Sequence, residues 1–310
     1  MKALIRKILT GDTPVREYAT VTIGQKINER VYLLLNDDRI DISNCQWVFC
    51  LTPLVIGVWT GNEKTRAAPG LHKNYRIIFT DSAETNNTVA ESEAELVQTI
   101  DHGEASLLLF ELKHCHLKHL ASWRTRLIYQ RYYKKPSQPF DRFKSYVTAY
   151  SFPRKVRLIS FSSADHYNIF PMDLIGELPE QRLMFFGLRH TNRTLGKILE
   201  TKKLVVSEIP FNEKETIYKM GSHHGVPPVP VAQLPFRTIC SKDFQFPVPE
   251  WANSYREISI KKNFNLGSHM LIWGEYGAET RLSPASAGLY HIHFLHYLHQ
   301  KAIGLDYRLV

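Results

Sequence analysis

The strand pattern of this chain is written twice, and a chain that repeats its own pattern is constrained to build two similar units rather than one large one. From Val31, an apolar run (Val31, Leu33, Leu34, Leu35) leads to Leu51-Thr52-Pro53, a strand ending Ile56-Gly57-Val58-Trp59, and Asn62-Glu63-Lys64-Thr65. From Val156, a second run (Val156, Leu158, Ile159) leads to Glu177-Leu178-Pro179, a strand ending Phe186-Gly187-Leu188-Arg189, and Thr191-Asn192-Arg193-Thr194. Each copy continues with a β-branched run, Arg76-Ile77-Ile78-Phe79 in one and Leu204-Val205-Val206-Ser207 in the other. Later, Ser106-Leu107-Leu108-Leu109-Phe110-Glu111 echoes the stretch from Ser268 to Glu275. The match lies in pattern more than in identity. A chain of 310 residues suits two domains of about 150 residues each. The boundary is expected at Lys134-Lys135-Pro136-Ser137-Gln138-Pro139, which stops a helix and resists a strand, giving domains 1–138 and 139–310.

Composition excludes several classes. Hydrophobic residues at 44%, with 16 Gly and 16 Pro spread along the chain, describe a globular protein rather than a fibrous or disordered one. No apolar run reaches the roughly eighteen residues of a membrane span, so no membrane partner is expected. The basic start of the chain leads into Thr10-Gly11-Asp12 instead of an apolar signal core, and four cysteines without C-x-x-C spacing suit a reducing compartment. The expectation is a cytoplasmic protein. A net charge of +9 invites a nucleic-acid partner, but the charges form no long tract. The densest segment, Lys113 to Lys135, interleaves basic residues with Trp123, Tyr129, Tyr132 and Tyr133. It reads either as a stacking surface for bases or, more plainly, as an amphipathic helix with a solvated basic face.

Strands are expected at Thr20–Ile23, Val31–Leu35, Val55–Trp59, Arg76–Phe79 and Leu107–Phe110, each bounded by Asn, Asp, Gly or Pro. Between the last two, Val89, Leu96, Val97 and Ile100 recur at helical spacing. Beyond the boundary, strands are expected at Tyr146–Tyr150, Val156–Phe161, Leu183–Leu188, Leu204–Ser207, Glu257–Ile260 and Met270–Trp273. Helices are expected at Thr194–Glu200, Ile209–Met220 and Leu289–Ile303. Strands at this density with few crossover helices indicate a mainly β barrel architecture, not a doubly wound sheet.

Chemistry is legible in the second half. The strand at Leu183–Leu188 runs into Arg189-His190-Thr191-Asn192-Arg193-Thr194 and then a helical segment. Two hydroxyls, an amide and two guanidiniums at a helix N-terminus suit a terminal phosphate. The competing reading is a simple helix cap at Thr191 or Asn192 with solvated arginines. Upstream lie Arg157 to Ser163 and then His166-Tyr167-Asn168-Ile169-Phe170-Pro171-Met172-Asp173, and downstream lies Gly267-Ser268-His269-Met270-Leu271-Ile272-Trp273-Gly274-Glu275.

In order and spacing, these segments resemble the flavin reductase-like family of FMN-binding split β-barrels over Val156 to Tyr290. The resemblance implies a mainly β protein of two tandem split-barrel-like domains, a pseudo-dimer, with the N-terminal half a diverged copy. It also implies that Asn168, Ile169, Phe170, Pro171, Met172 and Asp173 follow the flavin ring, that Arg189, Thr191, Asn192, Arg193 and Thr194 hold its phosphate, and that His269 lies beside it as the catalytic candidate. The family often carries small hydroxyl residues where this chain has Phe170, Met172 and Asp173, so ring contacts would be bulkier, at the expense of room for a nicotinamide. The implied function is a flavin reductase-like oxidoreductase using FMN and taking hydride from NAD(P)H or another small-molecule donor. Alternatives are a non-catalytic flavin carrier or sensor, and a cofactor-free interaction protein that retains the barrel.

The first copy lacks the anchor. Asp37-Asp38 stand where the second copy has Ser162-Ser163, and Glu63-Lys64 where it has Asn192-Arg193, while Pro69 and Gly70 shorten any following helix. Family members usually pair as homodimers with FMN at the seam, and a tandem chain could build that seam internally and hold one FMN, whether or not two chains pair again. Other clusters carry less. His114-Cys115-His116 with His119 is metal-friendly but has no further ligand at a recognisable spacing. His291, His293, His296 and His299 read as half-solvated positions of a terminal helix, and Ser222-His223-His224-Gly225 sits in a loop of undecided role.

Overall fold

The computed structural model describes residues 7–11, 13–23, 26–35, 38–61, 75–284, 286–304 and 307–309. After a first strand β1 (Tyr18–Ile23), seven strands form one antiparallel sheet. These are β2 (Arg30–Leu35), β3 (Asp38–Asp41), β4 (Gln46–Leu51), β5 (Leu54–Trp59), β6 (Tyr75–Thr80), β7 (Thr88–His102) and β8 (Ala105–Leu117), in spatial order β3-β2-β6-β7-β8-β5-β4. Helices α1 (Ser122–Ile128) and α2 (Phe140–Ala149) and a short β9 (Arg154–Lys155) connect it to the second half. There follow β10 (Arg157–Ser162), β11 (Tyr167–Met172), β12 (Ile175–Leu178), β13 (Leu183–Arg189), α3 (Leu195–Thr201), β14 (Lys203–Glu208) and α4 (Lys214–Lys219). A two-stranded ribbon of β15 (Thr238–Cys240) and β16 (Pro247–Pro249) precedes β17 (Ser254–Asn265), β18 (His269–Tyr276) and β19 (Thr280–Arg281).

The second sheet runs β11-β10-β14-β17-β18-β13-β12, with β19 added on β17. Position for position this is the order of the first sheet. The segments paired in the sequence fall on corresponding strands: β2 with β10, β5 with β13, β6 with β14 and β8 with β18. The fold is mainly β with a few helices, in two curled, split-barrel-like sheets. A third sheet, β21-β1-β20-β9, joins β20 (Gly288–His293) and β21 (Arg308–Leu309) to the strand that opens the chain, with α5 (Phe294–Ala302) lying between them in sequence. Among the described residues no helix is long and apolar enough to cross a membrane.

The two sheets meet along strands that are buried on both faces, which is why β5 and β13 read as unbroken apolar runs instead of alternating ones. Alternate residues of these strands serve two cores. Ile56, Val58, Leu108, Phe110, Met184, Phe186 and Ile272 face the large core shared by the barrel interiors. Val55, Trp59, Leu107, Leu109, Leu183, Phe185, Leu271 and Trp273 face a seam core, to which β4 adds Phe49. The close approach at the seam depends on glycine: a Cβ on Gly187 would lie 2.0 Å from the Phe49 carbonyl oxygen.

Three expected elements differ. Residues Thr88–His102 form a strand, not a helix, because Ser92, Ala94 and Ile100 point inward while Glu93, Glu95 and Val97 point out, a period of two that the helical reading overlooked. Lys113 on β8 lies 4.0 Å from Glu95, and Lys118, just beyond β8, reaches Glu91 at 3.0 Å. Tyr146–Tyr150 belongs to the end of α2, which buries Phe143 and Val147 one turn apart. The expected helix Leu289–Ile303 is strand β20 through His293 followed by α5, and the basic segment 113–135 is the end of β8, then α1 and a π-helical turn. His114 and His116 are exposed on β8, and among the described residues no group of three or more metal-ligating side chains is assembled. Nor are the α5 histidines half-solvated as a pair: His296 is fully buried, 2.8 Å from Glu29.

Candidate functional site

A cavity of about 600 Å³ opens where the ends of β11, β13 and β18 meet β4 and the third sheet. That volume is ordinary for a small-molecule or cofactor site. The second half supplies Pro171, Met172, Asp173, Leu174, Gly187, Leu188, Arg189, Thr191, Asn192 and His269, and the first half supplies Glu17, Tyr18 and Leu51. Tyr150, Tyr218, Gly221, His224 and His291 complete much of the rim.

Of the residues expected at a site, Pro171, Met172, Asp173, Arg189, Thr191, Asn192 and His269 therefore converge on one space. Asn168, Ile169, Phe170, Arg193 and Thr194 do not line it. Their alternation on β11 explains part of this. Ile169 packs with Leu158, Ile217 and Met220 in a satellite core, and Phe170 in the main one. Asn168 is buried and donates its amide to Thr194 Oγ1 at 2.7 Å and to the His223 carbonyl at 2.9 Å. Thr194 N donates to Asn192 Oδ1 at 2.8 Å, and Asn192 Nδ2 lies 2.8 Å from His224 Nδ1. Asn168, Asn192 and Thr194 thus build the loop that presents Arg189 and Thr191. Helix α3 starts at Leu195 behind a Thr194 whose own side chain makes no cap, and the Asn192 Oδ1 that accepts from Thr194 N is the cap-like bond at its entrance, so the cap reading describes Asn192 and not Thr191.

Electrostatics favour an anion at the loop end. Arg189 lines the cavity, is exposed, and forms no ion pair among the described residues. His269 is 2% exposed. Burial, reinforced by the charges of Arg189 and His190, pulls its imidazole down to about 3, so the ring is neutral. Its Nδ1 lies 2.8 Å from Ser268 Oγ and 3.5 Å from Cys50 Sγ, while Nε2 is buried without a partner. With Ser268 donating to Nδ1, Nε2 carries the hydrogen and is a buried donor without a partner among the described residues. The β4 end also holds the His269 strand from the other half, since Ser268 N donates to the Thr52 carbonyl at 2.9 Å.

Sequence reasoning missed Tyr18, Tyr150, Tyr218 and His291. Asp173 Oδ2 accepts from Tyr150 at 3.0 Å and from His291 Nδ1 at 2.7 Å. His291 Nε2 lies 2.5 Å from the Tyr218 hydroxyl, which lies 2.5 Å from Thr20 Oγ1. These residues come from five separate segments, so no local motif announces them. The nearest sequence signal is a carboxylate at 173, at a position bordered by apolar residues.

No protein-family model matches the chain, and no curated protein sequence does. Among solved structures it is similar to an FMN-binding protein from Thermus thermophilus at 21% identity, over 42% of this chain and 72% of that one, with a TM-score of 0.38. It is similar to the NADH:FAD oxidoreductase SgcE6 of Streptomyces globisporus C-1027 at 16% identity, over 56% and 94%, with a TM-score of 0.45. A third is BorF, the flavin reductase component of a bacterial two-component tryptophan halogenase, at 14% identity, over 47% and 90%, with a TM-score of 0.42.

Proposed function

We propose that the chain binds one FMN in this cavity and acts as a flavin-dependent oxidoreductase fed by NAD(P)H or another small-molecule donor. The observation that carries the reading is the convergence of the Arg189 loop, the Pro171–Asp173 segment and His269 on one cavity closed by the first half. Arg189 and the Thr191 hydroxyl would hold the phosphate through charge-assisted bonds. Pro171, Met172, Leu51 and Leu188 offer apolar surface to a flat ring, and His269 stands beside it as a neutral imidazole. A bound flavin would supply the redox chemistry, and the protein the orientation and the exclusion of water.

The same reading takes the two halves, 1–138 and 139–310, as duplicated units, the first serving as the internal partner that a homodimer would otherwise provide. The direct test is the colour and stoichiometry of the purified protein saturated with FMN. Yellow protein with one FMN per chain that bleaches on adding NADH or NADPH is expected. Colourless protein with no flavin uptake would reject the reading, and two equivalent flavins per chain would reject the internal-partner part of it. Yellow protein indifferent to both nicotinamides would restrict the chain to carrying or sensing.

A further inference from the structure

Asp173, His291, Tyr218 and Thr20 form a continuous hydrogen-bonded line along the cavity wall, built from the loop after β11, from β20, from α4 and from β1. Three of the four side chains line the cavity. The arrangement is over-determined: His291 is 8% exposed, with the Tyr18 ring stacked on it at 4.8 Å between centroids, and the Tyr218 ring plane lies within 11° of its own. Tyr150 fixes Asp173 from the other side.

The direction of the line follows from Asp173. Burial alone would raise its carboxyl, but the hydrogen bond and charge of His291, with the Tyr150 hydroxyl, outweigh burial and hold it below the usual carboxylate range. An ionised Asp173 keeps the hydrogen on His291 Nδ1, which leaves Nε2 to exchange a proton with Tyr218. Burial pushes the Tyr218 phenol up to about 12, so it holds its proton near neutrality. Tyr218 itself lines the cavity and is 38% exposed.

We propose that Asp173, His291 and Tyr218 are a proton relay whose outer member, Tyr218, exchanges a proton with the oxygen of a carbonyl or phenolic compound bound in the cavity. This deepens the flavin reading and rests on it for the source of hydride. Reduction of a carbonyl adds hydride at carbon, from the reduced nicotinamide or flavin, and a proton at oxygen. The relay supplies the second: the Tyr218 O–H bond breaks as the substrate O–H bond forms, and the proton on His291 Nε2 passes to the Tyr218 oxygen. The proton that Nε2 gives up is replaced from solvent, while Nδ1 keeps its hydrogen bond to Asp173. In reverse, a phenol gives its proton to Tyr218 while Tyr218 passes its own to Nε2. Tyr218 is the catalytic residue of this step; His291 and Asp173 are positioning residues that act through it.

The reverse step gives a test without turnover. The full-length protein, free of flavin and in excess, is mixed with 4-nitrophenol one pH unit below the probe's own pKa, where the free probe is mostly neutral and colourless. Wild type should bind it as the yellow phenolate. Tyr218→Phe should bind it with the neutral spectrum, and His291→Gln should lose most of the phenolate band, with folding of each checked by circular dichroism. A neutral spectrum in wild type, an unchanged phenolate band in Tyr218→Phe, or no binding by equilibrium dialysis would overturn the relay. FMN titration of the same proteins separates the two readings. Phenolate formation without flavin uptake would sink the flavin reading alone, and flavin uptake without phenolate formation the relay alone.

Discussion

The two halves place different residues at corresponding positions of the same sheet, and the difference decides which side of the seam is open. On β13 and β18, Arg189 pairs with His269; on β5 and β8, Trp59 pairs with Leu107 at the equivalent rung. Arg189 and His269 border the cavity, whereas Trp59 and Leu107 belong to the seam core. Trp59 is 4% exposed, and its ring lies 6.0 Å from Trp273 and 6.2 Å from Phe185, both from the second half. The second half thus keeps a polar, hollow rung, and the first a filled one that packs against the facing half. The electrostatic bar to a phosphate expected in the first half concerned Asp37-Asp38 and Glu63-Lys64 with Pro69 and Gly70; apart from Asp38, these lie outside the described residues. Trp59 and Leu107 occupy the corresponding rung sterically, independently of those residues.

If Trp59 is the plug, removing it should cost more than any change on the open side. Trp59→Ala is expected to destabilise the protein by about 3–5 kcal/mol, the range for truncating a buried tryptophan, read as the midpoint of urea unfolding. A loss under about 1 kcal/mol would mean that the seam does not depend on it. The paired glycines sharpen the comparison. A Cβ at Gly187 meets the Phe49 backbone at 2.0 Å, whereas one at Gly57 meets side chains, the Phe49 ring at 2.3 Å and Leu107 Cδ1 at 3.1 Å. A ring can turn aside more easily than a strand can shift. Gly187→Ala should therefore cost about 3 kcal/mol and Gly57→Ala nearer 1 kcal/mol, within the range for overpacking. Equal effects would contradict the asymmetry.

The same rung predicts ligand affinity. Arg189→Ala removes charge-assisted bonds worth about 1.5–3 kcal/mol, so FMN affinity measured by fluorescence titration should fall at least about tenfold. Arg193→Ala, on the same turn but outside the cavity lining, should change it by less than about twofold. If Arg193→Ala proves the more damaging, the phosphate is held on the other side of the turn.

Much of this was readable in the sequence because strand order leaves local traces. Gly57 and Gly187, each two residues before the decisive rung, marked the corresponding strands, and the order of segments was enough to pair them. What was not readable has one physical cause in common. Whether Glu91, Glu93 and Glu95 lie on a helix or a strand depends on having β6 and β8 on either side, and a lone run of twelve residues contains both periods. The line from Asp173 to Tyr218 joins residues 118 positions apart at its first bond and 73 at its second, so no window of sequence contains it. Arg193 and Thr194 looked equivalent to Arg189 and Thr191 in the loop, and only the turn geometry sends them to different sides.

The smallest effect comes from protonation of the same rung. The unfolded chain takes up a proton on His269 near pH 6.5, but burial beside Arg189 holds the folded imidazole near 3. Between those values the unfolded state binds more protons, so stability rises with pH and is lost as pH falls below about 6.5. At pH 5.5, one unit into that window, the loss from this group is about 1.4 kcal/mol. His293, held near 3 by burial, and the buried His119 contribute in the same direction. The carboxylates that are held low, Asp173 and Glu208, enter only at more acid pH. The informative quantity is therefore a difference. His269→Leu, which copies Leu107, should reduce the drop in stability between pH 6.5 and 5.5 by about 1 kcal/mol relative to wild type, while Leu107→Ala should leave that drop unchanged. Were both variants to keep the wild-type slope, His269 would be protonating freely in the folded state, and the contrast between a polar and a filled copy of the rung would lose its electrostatic half.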